Sequence, residues 1–215
     1  HVEVTPSPDQ AKSINLFELT QDLKARGLEL PLLIRFPDIV GHRIRLINEA
    51  FQKAIAEYEY AGVYRGVFPV KVNQQRHLVE EEVAAGRQWN FGLEAGSKPE
   101  LLITLAAMQD VGGLIICNGY KDSSYIETAL LASRMGMSII LVVEKPTELD
   151  NIHRVSERVK IKPALGIRAR LSSRCSSRCE QSGCDFSKFG LTAPVLGRVH
   201  EHVLAEDDRA DDRPV

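Results

Sequence analysis

Lys71 closes the apolar run GVFPV at positions 66–70. A lysine at the end of a buried strand stands at a low-dielectric rim, where desolvation lowers its pKa and frees the amine to attack a carbonyl. The same position also suits a lysine that buries its stem and keeps its charge in water. Glu94 ends the next apolar segment, WNFGLE. A carboxylate there could steady an ammonium or relay a proton, or simply favour the start of the following helix. Asn118 follows LIIC, and Arg168 lies in the segment from Pro163 to Leu171. Arg168 could equally form a structural ion pair with Glu94 or Glu144. Arg35, Asn73, Glu144 and the loop from Ser172 to Ser187 complete the set of polar groups at strand ends. Strand ends matter because parallel α/β proteins gather their chemistry where the loops after the strands converge.

Cysteine use adds little. Cys117 sits inside an apolar run and reads as a small buried hydrophobe. Cys175, Cys179 and Cys184 share one loop, with His200 and His202 downstream. Thiolates and an imidazole are zinc ligands, but the paired C-x2-C knuckles of structural sites are missing. We read free thiols in a reducing cytoplasm and assign no metal ligand. The charge balance, 27 Lys and Arg against 29 Asp and Glu, gives −2 overall. That excludes the broad positive field of a dedicated nucleic-acid binder. With 44% apolar and 26% charged residues the chain has globular composition. No apolar run approaches the roughly 20 residues that span a bilayer. The opening HVEVTPSPDQ has neither a basic nor an apolar signal region, and with no initiator Met the start is expected upstream.

The elements that must position these groups alternate in period. Strands are expected at Pro31–Phe36, Arg65–Lys71, Trp89–Glu94, Gly113–Cys117, Ser138–Val143 and Pro163–Leu171. Between them the spacing predicts helices over Gly41–Tyr58, with Ile44, Ile47, Phe51 and Ile55 on one face, and over Gln75–Ala85, Ser97–Met108, Ser123–Met135 and Thr147–Val159. Gly86 is the expected C-cap of the second helix. Ser97 and Glu100, with Pro99 between them, form a capping-box pattern. Ahead lie a strand-like Val2–Val4 and a helix near Leu16–Ala25. Past Leu191, one helix and an acidic tail are expected. Six βα units with near-continuous apolar strands imply a parallel sheet covered by helices. A closed barrel needs eight strands and typically about 250 residues, so the expected fold class is α/β, a partial (β/α)8 barrel that stops before it closes. The expected organisation is a lead-in segment at 1–30, a barrel portion at 31–192 and a divergent helix and tail at 193–215.

Words along the chain carry more than position does. YRGVFPVKVNQQRHLVEE (64–81), LPLLIRFPDIVGHRIRLINEAF (30–51), NFGLEAGSKPELL (90–102), LIICNGYKDSSYIETALL (114–131) and SKFGL (187–191) resemble the biosynthetic arginine decarboxylases. These are pyridoxal-phosphate enzymes of the alanine racemase-like fold, and the resemblance runs from about Val2 to Leu191. It implies that Lys71 holds pyridoxal phosphate through its amine and that Glu94 is catalytic beside it. It implies that Asn118 and Arg168 stand near the cofactor ring. The implied reaction turns L-arginine into agmatine and carbon dioxide in polyamine biosynthesis. Magnesium as a further cofactor, a cytoplasmic location and a homo-oligomer follow from the same resemblance, while the charge balance and hydropathy lead us to expect no membrane or nucleic-acid partner.

Two departures from the family pattern stand out. In SSRCSSRCEQSGCDFS (172–187), Cys175, Ser177 and Cys184 replace expected glycines and Cys179 an expected tryptophan. A β-carbon where a glycine takes positive φ costs about 1 kcal/mol. The family's His-x-His-x-Gly-Ser segment, its later phosphate loops and its C-terminal β domain have no counterpart, since His200 and His202 lie in another context. The expectation is therefore the N-terminal portion of such an enzyme, truncated or divergent. Two other readings accompany it: a non-catalytic paralogue that pairs with a full-length decarboxylase, and another pyridoxal-phosphate barrel enzyme.

Overall fold

A computed structural model describes residues 2–6, 13–170 and 190–197. Cys175, Cys179, Cys184, His200, His202 and the acidic tail lie outside the described residues. The chain forms two compact units, one drawn from His1–Gly66 and Asn73–Phe91, the other from Val67–Val72 and Gly92–Val215.

In the first unit, β1 (Glu3–Val4) pairs antiparallel with β2 (Ile14–Asn15). Helix α1 (Leu16–Ala25) follows directly, capped by the Asn15 carboxamide oxygen, which accepts from the Phe17 and Glu18 amides. Pro31–Phe36 is not a strand. A strand is defined by its neighbour's hydrogen bonds, and this segment has no strand partner among the described residues; Leu33 is 76% exposed. Helix α2 (Pro37–Glu57) is longer than its periodic stretch, with Pro37 in its first turn. Only Ile44 and Asn48 of α2 are buried, whereas Ile47 and Phe51 are about half exposed. The Phe51 ring instead stacks on Tyr64 at 3.9 Å, nearly coplanar. Helix α3 (Arg76–Gly86) packs on α2. Gly86 does not cap it. The chain runs on through a 3-10 turn, Arg87–Trp89, and Asn90 takes the left-handed conformation that ends it. What Gly86 supplies is space, because a β-carbon there would lie 2.3 Å from the Phe91 β-carbon.

The second unit holds the sheet. Strands β3 (Val67–Pro69), β4 (Gly92–Ala95), β5 (Leu114–Cys117), β6 (Ser138–Val143) and β7 (Leu165–Ile167) are all parallel and neighbour one another in chain order. That sequential order, with no reversal, distinguishes a barrel arc from a doubly wound sheet. Helices α4 (Lys98–Ala107), α5 (Ser123–Arg134) and α6 (Thr147–Val159) complete the βα repeats. The capping pattern of α4 is shifted by one residue. Ser97 contributes no side-chain bond, while the Glu100 carboxylate reaches back to accept from the Gly96 amide at 2.7 Å. Beyond β7, Ala169 and Leu191 form an isolated parallel bridge, so the GL of SKFGL takes the next place in the same order.

Alternation sets the two faces of the sheet. Ile115, Cys117, Ile139, Leu141 and Val143 are buried, together with Ile126, Leu130 and Ile152 of the covering helices. Each such aliphatic side chain contributes about 1.5–3 kcal/mol of burial free energy. Leu114, Ile116, Ile140 and Val142 point the other way and are only partly covered.

Candidate active site

Period two carries the chemistry onto that partly covered face. Glu94 is in register with Pro69 on one side and Ile116 on the other, and Ile116 is in register with Ile140. Two residues beyond Ile116 stands Asn118; Glu144 and Arg168 stand at the corresponding ends of β6 and β7. Side chains two apart on a strand share a face, so these four polar groups meet at one edge of one surface.

The bonds follow from that placement. The Asn118 backbone amide continues the ladder to Ala95 O at 2.8 Å, and its side-chain amide donates to Glu94 Oε1 at 2.9 Å. Gly119 then turns with φ +73°. Its amide donates to Glu144 Oε1 at 3.1 Å, and the Arg168 guanidinium donates to the same oxygen at 3.0 Å. Glu94 and Glu144 are both buried, and Oε2 of each has no hydrogen-bond partner. Arg168 is open to solvent over 43% of its side chain. The result is a polar seam across four consecutive strand ends, with two buried carboxylate oxygens uncommitted. Of the two ion pairs left open for Arg168, the structure forms the one with Glu144. Glu94 lies inside β4 rather than at a helix start.

Lys71 is placed differently. The chain leaves β3 through a 3-10 turn, Val70–Val72, in which Val70 is fully buried and Lys71 exposed. Its ammonium makes no hydrogen bond or ion pair with any described residue. It therefore stands at the C-terminal end of the strand beside Glu94, without a bond to that carboxylate. Arg35 and Asn73 serve the first unit: the Arg35 guanidinium donates to the Gln75 carboxamide, and Asn73 Oδ1 accepts from the Gln75 amide.

Sequence reasoning missed Lys121 and Glu148. Lys121 has a fully buried side chain and pairs with Glu148 at 3.5 Å. Burial pushes its ammonium below the ordinary lysine value, against the opposing pull of Glu148 and Glu144. Glu144, two residues past Val142, was already marked by its place at a strand end. Nothing local marks which residue of NGYKD turns inward. Burial also pushes the Cys117 thiol up to about 11, so this cysteine is packing, as its apolar context suggested. Among the described residues no group of three or more His, Cys, Asp or Glu is placed to hold a metal ion, and no helix is long and apolar enough to cross a membrane.

A sequential parallel βα arc with an ionic seam at its C-terminal edge defines part of an α/β barrel. Residues 44–208 match the family model for the pyridoxal-dependent decarboxylase pyridoxal-binding domain, and the chain belongs to that family. It is 52% identical over 211 residues to a biosynthetic arginine decarboxylase from Prochlorococcus marinus, covering 98% of this chain and 33% of that protein. A biosynthetic arginine decarboxylase from Nostoc sp. is 55% identical over 196 residues, covering 91% of this chain and 29% of the relative. The crystal structure of the biosynthetic arginine decarboxylase SpeA from Campylobacter jejuni superposes with a TM-score of 0.77 at 36% identity, over 90% of this chain and 31% of that one. The chain thus spans about a third of the length of these relatives.

Proposed function

We propose that this chain is the pyridoxal-phosphate-holding portion of an arginine decarboxylase, which releases the α-carboxylate of L-arginine as carbon dioxide and leaves agmatine. The observation that carries the reading is an open amine two residues past the strand position in register with a half-used carboxylate. Lys71 offers an uncommitted nitrogen at the end of β3, and Glu94, in register with the preceding strand, keeps Oε2 buried and unclaimed.

The residues fit the cofactor on three counts. Lys71 supplies the primary amine that an aldehyde requires, and arginine in its place would not, since a guanidinium is never deprotonated in a protein. Glu94 Oε2 is an acceptor for a cationic or protonated group. Arg168, oriented by Glu144, offers a half-exposed cation to an anionic one. When bound, pyridoxal phosphate supplies the electron sink that carboxylate loss needs. Glu94 then holds or moves the proton at its free oxygen, and Asn118 keeps that carboxylate turned through the bond to Oε1. Recognition of the substrate guanidinium calls for a bidentate carboxylate, and Glu144 is half committed to Arg168.

Arginine as substrate is supported by the names of the relatives; magnesium, the homo-oligomer and the cytoplasmic location rest on the family resemblance of the sequence alone. Borohydride treatment of the chain with pyridoxal phosphate is the direct test. We expect covalent pyridoxyl label on Lys71 in the wild type and none there in Lys71→Ala or Lys71→Arg. Equal labelling spread over surface lysines in all three proteins would reject the assignment. A colourless protein that co-purifies with a complete decarboxylase would favour the non-catalytic paralogue.

A further inference from the structure

Behind the seam lies a buried ion pair that the proposed chemistry does not use. The Lys121 ammonium donates to the carbonyl oxygens of Gly119 at 2.6 Å and Val142 at 2.5 Å, and faces Glu148 Oε1 at 3.5 Å. A lysine has three donors, and here each faces an oxygen. Glu148, in the first turn of α6, collects backbone amides in return: Lys121 at 3.2 Å, Glu144 at 2.7 Å and Lys145 at 3.2 Å. One pair therefore ties the loop after β5 to the loop after β6. Those loops carry Asn118, Gly119 and Glu144.

A buried ion pair is a poor way to gain stability, because desolvating two charges offsets most of their attraction and an apolar pair often does as well. What the charges provide here is direction. The ammonium pins Gly119 O while the Gly119 amide faces Glu144, and the Glu148 carboxylate pins the amide of Glu144 itself. Gly119 cannot drift inward to compensate, since even a β-carbon at that residue would lie 2.1 Å from Gly96 O.

We propose that Lys121 and Glu148 are positioning residues: together they hold the Asn118–Gly119 turn and the Glu144 backbone so that Glu94 and Glu144 present their free oxygens at the mouth of the sheet. The inference rests on reading that mouth as the cofactor site.

The test uses the full 215-residue chain, labelled with nitrogen-15, as wild type, Lys121→Met, Glu148→Gln and the charge-balanced double variant. Three quantities are read: amide hydrogen exchange, the resonance of the Asn118 side-chain amide, and pyridoxal phosphate fixed on Lys71 by borohydride. Exchange at Gly119 and Glu144 is expected to accelerate roughly tenfold or more, the value of one hydrogen bond to a charged group. Ile115 and Leu141 should keep their wild-type rates. The Asn118 side-chain resonance should move, and fixed cofactor should fall by a similar factor. The double variant should show the same changes despite its restored charge balance. Acceleration spread evenly through the sheet, or seam changes that leave cofactor uptake intact, would overturn the proposal and leave the pair a stabilising element. If Lys121→Met does not fold, Glu148→Gln decides, since glutamine keeps the volume and removes the charge. A wild type that takes up no pyridoxal phosphate defeats the cofactor reading, while the exchange comparison still decides the positioning.

Discussion

Asn118 spans from the end of one parallel strand to Glu94 in its neighbour, with its side-chain nitrogen 2.9 Å from Oε1. The bond makes use of one carboxylate oxygen and leaves the other buried without a partner. Asn118→Ala would strip Glu94 of its donor while keeping it buried. The expected loss is about 1–3 kcal/mol of unfolding free energy, measured by urea denaturation. Asn118→Asp, which sets a like charge beside the carboxylate, should cost more. A neutral result for both would mean that Glu94 has no need of the amide.

Gly119 and Gly136 form an internal comparison. Both hold positive φ, +73° and +97°, but a β-carbon at Gly136 meets nothing within 4 Å, whereas at Gly119 it meets Gly96 O at 2.1 Å. Gly136→Ala should therefore report the backbone term alone, about 1–2 kcal/mol. Gly119→Ala should lose clearly more and loosen the bond to Glu144. Equal melting temperatures for the two variants would show that the turn yields without disturbing the seam.

Glu82 of α3 is 5% exposed, and its Oε2 has no partner. Desolvation pushes its carboxyl from 4.5 up to about 7. With the folded value above the unfolded one, its contribution is fully present below about 4.5 and is lost as pH rises through about 7. Glu82→Gln should be the more stable protein above that range, by about 1–3 kcal/mol. The advantage should shrink toward zero below about 4.5. Unfolding curves across the range check the sign, and an advantage that does not vary with pH would refute the titration.

Much of the scaffold was legible because it depends on neighbours in sequence. The apolar runs at 114–117 and 138–143 are strands where alternation and β-branching place them, and α5 and α6 begin within a residue of their expected starts. Pro31–Phe36 misled because an apolar run is necessary for a strand but its partner is not encoded beside it. Ser97 misled in a smaller way: both capping residues are present, yet the Glu100 carboxylate found the Gly96 amide first.

The sequence by itself determined the βα rhythm, the end-of-strand placement of Lys71, Glu94, Asn118 and Arg168, and the family words around them, because each is set by local period or by spelling. Only the tertiary structure decided that Arg168 pairs with Glu144 rather than Glu94, that Lys121 turns inward to Glu148, and that the Lys71 amine bonds to none of the described residues. Those outcomes depend on strand order and on the depth at which a charge is desolvated. Both are properties of residues some 25 apart in the chain, brought within about 3–4 Å by parallel pairing.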